Sequence, residues 1–205
     1  VNWSSYGAFL AFATVLTLLP GPDFAVVVKN TLAGGRRRGA WCSAGVSLSC
    51  AVQGAAAATG LGVLITQLQP VFQAVRWAGV VYLGYLGVQT LRSAFRGHYP
   101  RLTGGGAAAA RGGLREGFLS NITNPKALVF YLAVLPQFIS PDAAAFTLPL
   151  FALSHAVIAL LWLWVVVAVL DLVRAVLSRR TVRRALDTVI GVALLGFGAR
   201  LAAEG

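Results

Sequence analysis

Charge is scarce in this sequence of 205 residues: charged side chains make up 11% of it, against 58% hydrophobic residues and a mean hydropathy of +0.76. A soluble domain carries about 25% charged residues, so this scarcity excludes an ordinary aqueous fold. Acidic residues number six against 17 basic ones. The resulting net charge of +11 does not point to nucleic acid. The arginines fall between apolar runs, where basic residues set topology or meet anionic lipid headgroups. Cysteine is limited to Cys42 and Cys50, eight residues apart on one expected helix. That spacing rises about 12 Å, too far for a disulfide, so neither a redox nor a metal centre is expected and both read as small buried thiols. No cofactor is expected, and the absence of a P-loop argues against ATP coupling within this chain. Methionine is absent, so Val1 reads as a trimmed end or an unusual start. The first apolar run lacks the basic flank of a signal peptide and leads into Pro20-Gly21-Pro22-Asp23, so it reads as a first membrane helix.

What is present is long apolar sequence. Residues 1–22, 39–75 and 143–170 carry no charge, and each can hold a span of roughly 20 residues. Six transmembrane helices are expected, over about 4–33 (broken at Pro20–Pro22), 40–66, 71–95, 114–139 (interrupted at Asn124-Pro125), 145–172 and 184–203. Thirteen of the 17 basic residues fall in three segments: Arg36, Arg37 and Arg38; Arg92, Arg96, Arg101, Arg111 and Arg115; and Arg174, Arg179, Arg180, Arg183 and Arg184. Only Arg76 and Arg200 lie on the opposite face. Basic loops stay in the cytoplasm, which places both termini outside, in a multi-pass protein of a bacterial-type cytoplasmic membrane.

Between the third and fourth helices, Gly104-Gly105-Gly106 and the alanines after it read as a flexible linker. The chain then divides into a first repeat, 1–96, a linker, 97–111, and a second repeat, 112–205. Each half holds three helices, an odd number, so the second must begin on the opposite side and lie inverted. Pro22 and Pro125 occupy the first helix of each half, and the pair Gly79/Gly84 is matched by Gly191/Gly196 at the same spacing. The expected class is therefore an all-α membrane protein of two inverted three-helix repeats, N-out and C-out.

Proline and glycine interruptions at corresponding places in two inverted halves point to a transporter site. Pro20, Gly21 and Pro22 break the first helix, and Pro125 breaks the fourth. Asp23, thirteen residues before Arg36, lies about 19 Å deep, and Lys126, eleven residues past Arg115, about 16 Å. Ionisable residues at such depth are candidates for function by default. Asp23 and Lys126 could pair with each other, structurally or functionally, or hold the ammonium and carboxylate of a substrate. Asn121 and Asn124 share a face before Pro125 and serve either the broken backbone or a substrate. Gln53 sits on a small-residue face with Gly45 and Ser49, as interhelical glue or site residue. His155 is either a proton relay or a satisfied interhelical donor.

Several motifs are also familiar as a set. Pro20-Gly21-Pro22-Asp23 followed by Gly34-x-Arg36-Arg37-x-Gly39, then Gly45 running into Gly60-x-Gly62, then Trp77-Ala78-Gly79-x-x-Tyr82-Leu83-x-x-Leu86-Gly87, resemble the lysine exporter (LysE) superfamily. Asn121-x-x-Asn124-Pro125-Lys126-Ala127 with Leu135-Pro136-Gln137-Phe138-Ile139-x-Pro141 resembles its homoserine/threonine-efflux (RhtB-like) branch. Gln53 stands where many members have a His, and His155 is the nearest polar residue to where relatives often have an Asp. The resemblance implies a carrier that exports amino acids or derivatives and is driven by the proton gradient. Charge counting favours small neutral amino acids such as threonine or homoserine. Export of a basic amino acid or a metal ion, or a structural or assembly role, are the alternatives. The expected partners are that substrate, protons and lipid, with homo-oligomerisation left open.

Overall fold

The computed structural model describes residues 1–58, 69–96, 107–140, 143–173 and 179–203, and every regular element among them is helical. Helix α1, Trp3–Leu18, starts where the Asn2 side chain accepts from the amides of Ser4 and Ser5 at 3.0 and 3.3 Å, which satisfies two donors that a helix start leaves open. It stops at Leu19-Pro20. Helix α2, Pro22–Ala58, follows at an angle of 54°.

Helix α2 is two limbs. Gly35 adopts φ 73°, ψ −176°, a left-handed region that side chains disfavour, and the chain doubles back there. Thr31 then faces Gly39 across the turn, and Arg38 Nε donates to Asn30 Oδ1 at 2.6 Å. The expected first and second helices are thus joined by a turn at the arginine-rich segment.

Helix α4, Ala107–Ile122, lies between the two limbs. Against the first it runs antiparallel, with Asp23 level with Ser120 and Asn121, and Asn30 level with Glu116. Against the second it runs parallel: Gly113 lies on Arg38, Gly117 on the Cys42 carbonyl, and Gln53 meets Asn121. The contact at Gly117 leaves no room for a Cβ. Ala107–Arg111, expected in the linker, already belong to α4, in keeping with alanine's high helix propensity; residues 97–106 lie outside the described residues.

After Ile122 the helix breaks and restarts as α5, Pro125–Val129, capped by Asn124, whose Oδ1 accepts from the Lys126 amide at 3.0 Å. It widens into a π turn over Phe130–Val134 and tightens into a 3-10 turn over Leu135–Phe138. Helix α6, Thr147–Leu172, covers α2 and α1, and the rings of Phe9, Phe130, Phe138 and Phe151 meet beneath it. Helix α3, Gln69–Arg96, packs on α7, Arg180–Ala203, where Gly87 and Gly191 each lie against the other's carbonyl. Of the glycines matched by spacing, Gly79/Gly84 and Gly191/Gly196, a Cβ at Gly84 or Gly196 would meet nothing within 4 Å.

Large apolar side chains face outward all round, among them Trp3, Val81, Phe95, Leu172 and Val189, an exterior that suits lipid rather than water. By length and composition α6 and α7 can each cross a membrane, and the bent pair α1–α2 is a third candidate span among the described residues.

Candidate functional site

Asp23 stands in the first turn of α2, where the helix end favours a negative charge. Its Oδ1 accepts from Ser120 Oγ at 3.2 Å, and its Oδ2 from Asn121 Nδ2 at 3.0 Å and Asn124 Nδ2 at 2.8 Å. All three donors are neutral. Asn124 serves the broken backbone, capping α5 with its oxygen, and holds Asp23 with its nitrogen, a role not weighed from sequence. Asn121 in turn accepts on Oδ1 from Gln53 Nε2 at 3.0 Å and from the Cys50 thiol at 3.6 Å. Gln53 Nε2 also bonds Ser49 Oγ and the Asn121 carbonyl, and its Oε1 is buried without a protein partner.

Lys126 goes elsewhere. Its Nζ donates to the carbonyls of Leu16 and Leu19, at 2.9 and 3.3 Å, across the break in the first span. Those carbonyls belong to the end of α1, which lacks intrahelical donors and carries partial negative charge. The ammonium therefore acts as a tethered cap for α1. The contact between Asp23 and Lys126 considered from sequence is not made; ion pairs form instead at Glu116, with Lys29 and Arg38.

Both groups nonetheless line one cavity of about 70 Å³, together with Asn121, Asn124 and His155. Leu16, Val46, Phe130, Trp162 and Leu163 supply its apolar wall. Five of the six binding candidates read from sequence thus converge, and Gln53 stands behind Asn121. A larger cavity of about 720 Å³ adjoins it, sharing Leu16, Leu19, Gly21, Asn124, Lys126 and Phe130, and continuing past Pro20 and Pro22 to Arg200. Pro125 opens α5 at the break beside this space.

His155 is buried, and its Nδ1 lies 2.6 Å from the Tyr131 hydroxyl. Among the described residues, Tyr131 is the largest side chain fully enclosed. Sequence reasoning passed over it because its orientation depends on the π turn, and such turns recur at functional sites. It also passed over Lys29 and Glu116, which pair at 2.9 Å. Their signal was legible in principle: Lys29 lies seven residues inside Arg36, about 10 Å deep by helical rise. Among the described residues no three His, Cys, Asp or Glu side chains gather as a metal site.

The fold and site define a multi-pass helical membrane protein with a polar cavity at two helix breaks. The chain belongs to the family of LysE type translocators, whose model matches residues 14–205. It is 30% identical over 204 residues to a leucine efflux protein of Klebsiella pneumoniae, covering 97% of this chain and 94% of that one. A leucine efflux protein of Salmonella typhimurium is 28% identical over 207 residues, covering 97% and 94%. An uncharacterized membrane protein of Bacillus subtilis, YrhP, is 27% identical over 199 residues, covering 93% and 95%. No solved structure matches the chain.

Proposed function

We propose that this protein is a secondary-active exporter of neutral amino acids in a bacterial cytoplasmic membrane. Its six spans form two inverted halves with both termini outside, and the halves rock about the cavity at the helix breaks. The observation that carries this reading is that Asp23 and Lys126 line one cavity without pairing with each other. A free amino acid brings an ammonium group and a carboxylate. Asp23, held by neutral donors alone, accepts the ammonium; Lys126, drawn from the α1 carbonyls, meets the carboxylate. This set balances a zwitterion and leaves a basic side chain without a counter-charge at this level. The apolar wall of Leu16, Val46, Phe130, Trp162 and Leu163 suits an aliphatic side chain better than the hydroxyl of threonine or homoserine, and relatives named leucine efflux proteins agree.

Proton coupling falls to His155, whose ring lines the cavity and whose nitrogens can take up and release a proton. The test is efflux from proteoliposomes preloaded with leucine, threonine, homoserine or lysine, with and without a pH gradient. Leucine should leave fastest, and an inward proton gradient should accelerate it. Faster efflux of lysine than of the neutral amino acids would overturn the charge argument, and indifference to the gradient would remove the proton.

A further inference from the structure

Beyond the cavity lies a second polar cluster, built where both limbs of α2, α3 and α4 meet. Glu116 Oε2 accepts from Lys29 Nζ at 2.9 Å and Asn30 Nδ2 at 3.1 Å, and its Oε1 accepts from an Arg38 Nη at 2.7 Å. Lys29 Nζ reaches Gln89 Oε1 at 3.2 Å, and the Tyr82 hydroxyl donates to the Glu116 carbonyl at 3.3 Å. Lys29 is 8% exposed and Asn30 fully enclosed.

The charges in this cluster do not balance. Two cations share one carboxylate, leaving an excess of one positive charge at a partly buried place, where the Lys29, Arg38 and Glu116 side chains are 10%, 27% and 21% exposed. Such an excess of positive charge, away from full solvent screening, attracts a second anion. The cluster also lies close to the Asp23 site. Glu116 is one helical turn from Ser120, which holds Asp23, and Lys29 is six residues, about 9 Å, along α2 from Asp23 toward the arginine-rich turn. An amino acid arriving from the cytoplasm under the proposed topology would meet this excess positive charge before it met the lone negative charge of Asp23.

We propose that Lys29 and Arg38 form a second binding station, specific for the α-carboxylate of the arriving amino acid and held shut by Glu116. The incoming carboxylate takes the place of Glu116 between the two cations, which separates α4 from the first limb of α2 and admits the ammonium to Asp23. Glu116 is thus a competitor for the station, tethered within the chain. The inference rests on the exporter reading for its direction of travel, but the station can be tested apart from transport.

The experiment uses the full chain, purified in detergent, with acetate as a bare carboxylate at constant chloride. In E116Q, acetate should bind at least about tenfold more tightly than in the wild type, and the gain should vanish in E116Q combined with K29Q. Lys126 is present in every variant, so it cannot produce the difference. Should E116Q fail to fold, E116D keeps the charge with a reach one methylene shorter, and a gain in acetate affinity that K29Q removes is expected there too. In preloaded proteoliposomes the leucine concentration for half-maximal efflux should fall in E116Q, whereas a merely structural Glu116 would leave it unchanged and lower only the maximal rate. A folded variant with no gain for acetate overturns the station. A gain for acetate in protein that exports no amino acid keeps the carboxylate station and overturns the exporter reading.

Discussion

At the scale of single residues, the arrangement around Asp23 separates folding from function. Its partners are two amides and a hydroxyl. In Asp23→Asn the remaining oxygen can keep the amide donors, and the new amide can donate to Ser120 Oγ, which accepts as readily as it donates. The unfolding midpoint should therefore change little, while efflux falls by about two orders of magnitude through loss of the ammonium's counter-charge, a difference of about 2.7 kcal/mol. A thermal unfolding curve beside an efflux assay checks both, and retained transport would place the ammonium elsewhere. Lys126 behaves differently, because it also caps α1. Exchanging the two charges, Asp23→Lys with Lys126→Asp, sets an ammonium against three donors and a carboxylate against two carbonyls. Each misplaced charge costs at least about 2.5 kcal/mol in a membrane interior, so the doubly exchanged protein should not fold. Recovery of folded protein on size-exclusion chromatography would restore the idea of a direct pair. The position of Asp23 and Lys126 at the two helix breaks was legible in sequence, because the prolines beside them mark where the backbone ladder stops. Their partners were not, since equal depth says nothing about which side of a helix a residue occupies or which carbonyls a break leaves open.

Among elements, the breaks and the close helix approaches have different visibility. Pro20, Pro22 and Pro125 announced both breaks, because proline removes a backbone donor wherever it falls. The turn at Gly35 was implied by the arginines around it. Which glycines touch which helix was not legible, since that depends on crossing angles that periodicity does not encode. Gly79, Gly84, Gly191 and Gly196 matched by spacing, yet the close α3–α7 approach pairs Gly87 with Gly191. The consequence is testable by alanine substitution. A Cβ at Gly117 would overlap the Cys42 carbonyl, a backbone atom that cannot turn away. Gly117→Ala should cost about 1–3 kcal/mol, the range for overpacking, and disturb Asp23 by shifting α4. A Cβ at Gly84 would meet nothing within 4 Å, and Gly84→Ala should be neutral or stabilising, by up to about 1 kcal/mol from helix propensity. Denaturant unfolding of the two variants side by side reads the contrast, and equal losses would show that α4 does not lie where the structure puts it. Glu116 escaped notice for a related reason. It follows Arg115, a residue read as the edge of a cytoplasmic loop, whereas α4 is already well under way there, having begun at Ala107.

For the whole molecule, the decisive quantity is orientation, because export and import differ only in which face meets the cytoplasm. The asymmetry of basic residues, thirteen in three segments against two on the other face, sets the expected orientation. The two cavities and the Glu116 cluster give that orientation a consequence. The larger cavity runs from the helix breaks toward Arg200, on the face with few basic residues, while Lys29, Arg38 and Glu116 join the helices on the arginine-rich side. Under the proposed topology, with both termini outside, this arrangement would be open outward and sealed toward the cytoplasm, the state in which an exporter releases its substrate. Native Cys42 and Cys50 are both buried, so a cysteine placed in a loop reports its own side of the membrane with little background. In intact cells an impermeant thiol reagent should fail to reach Gly105→Cys, between α3 and α4, and should label Asp142→Cys, between the 3-10 turn and α6. Opening the cells should make Gly105→Cys reactive as well. The opposite pattern would invert the molecule and turn the outward cavity into a cytoplasmic one. Labelling of both positions in intact cells would mean that an even number of spans separates these loops, and the two halves would then not be inverted.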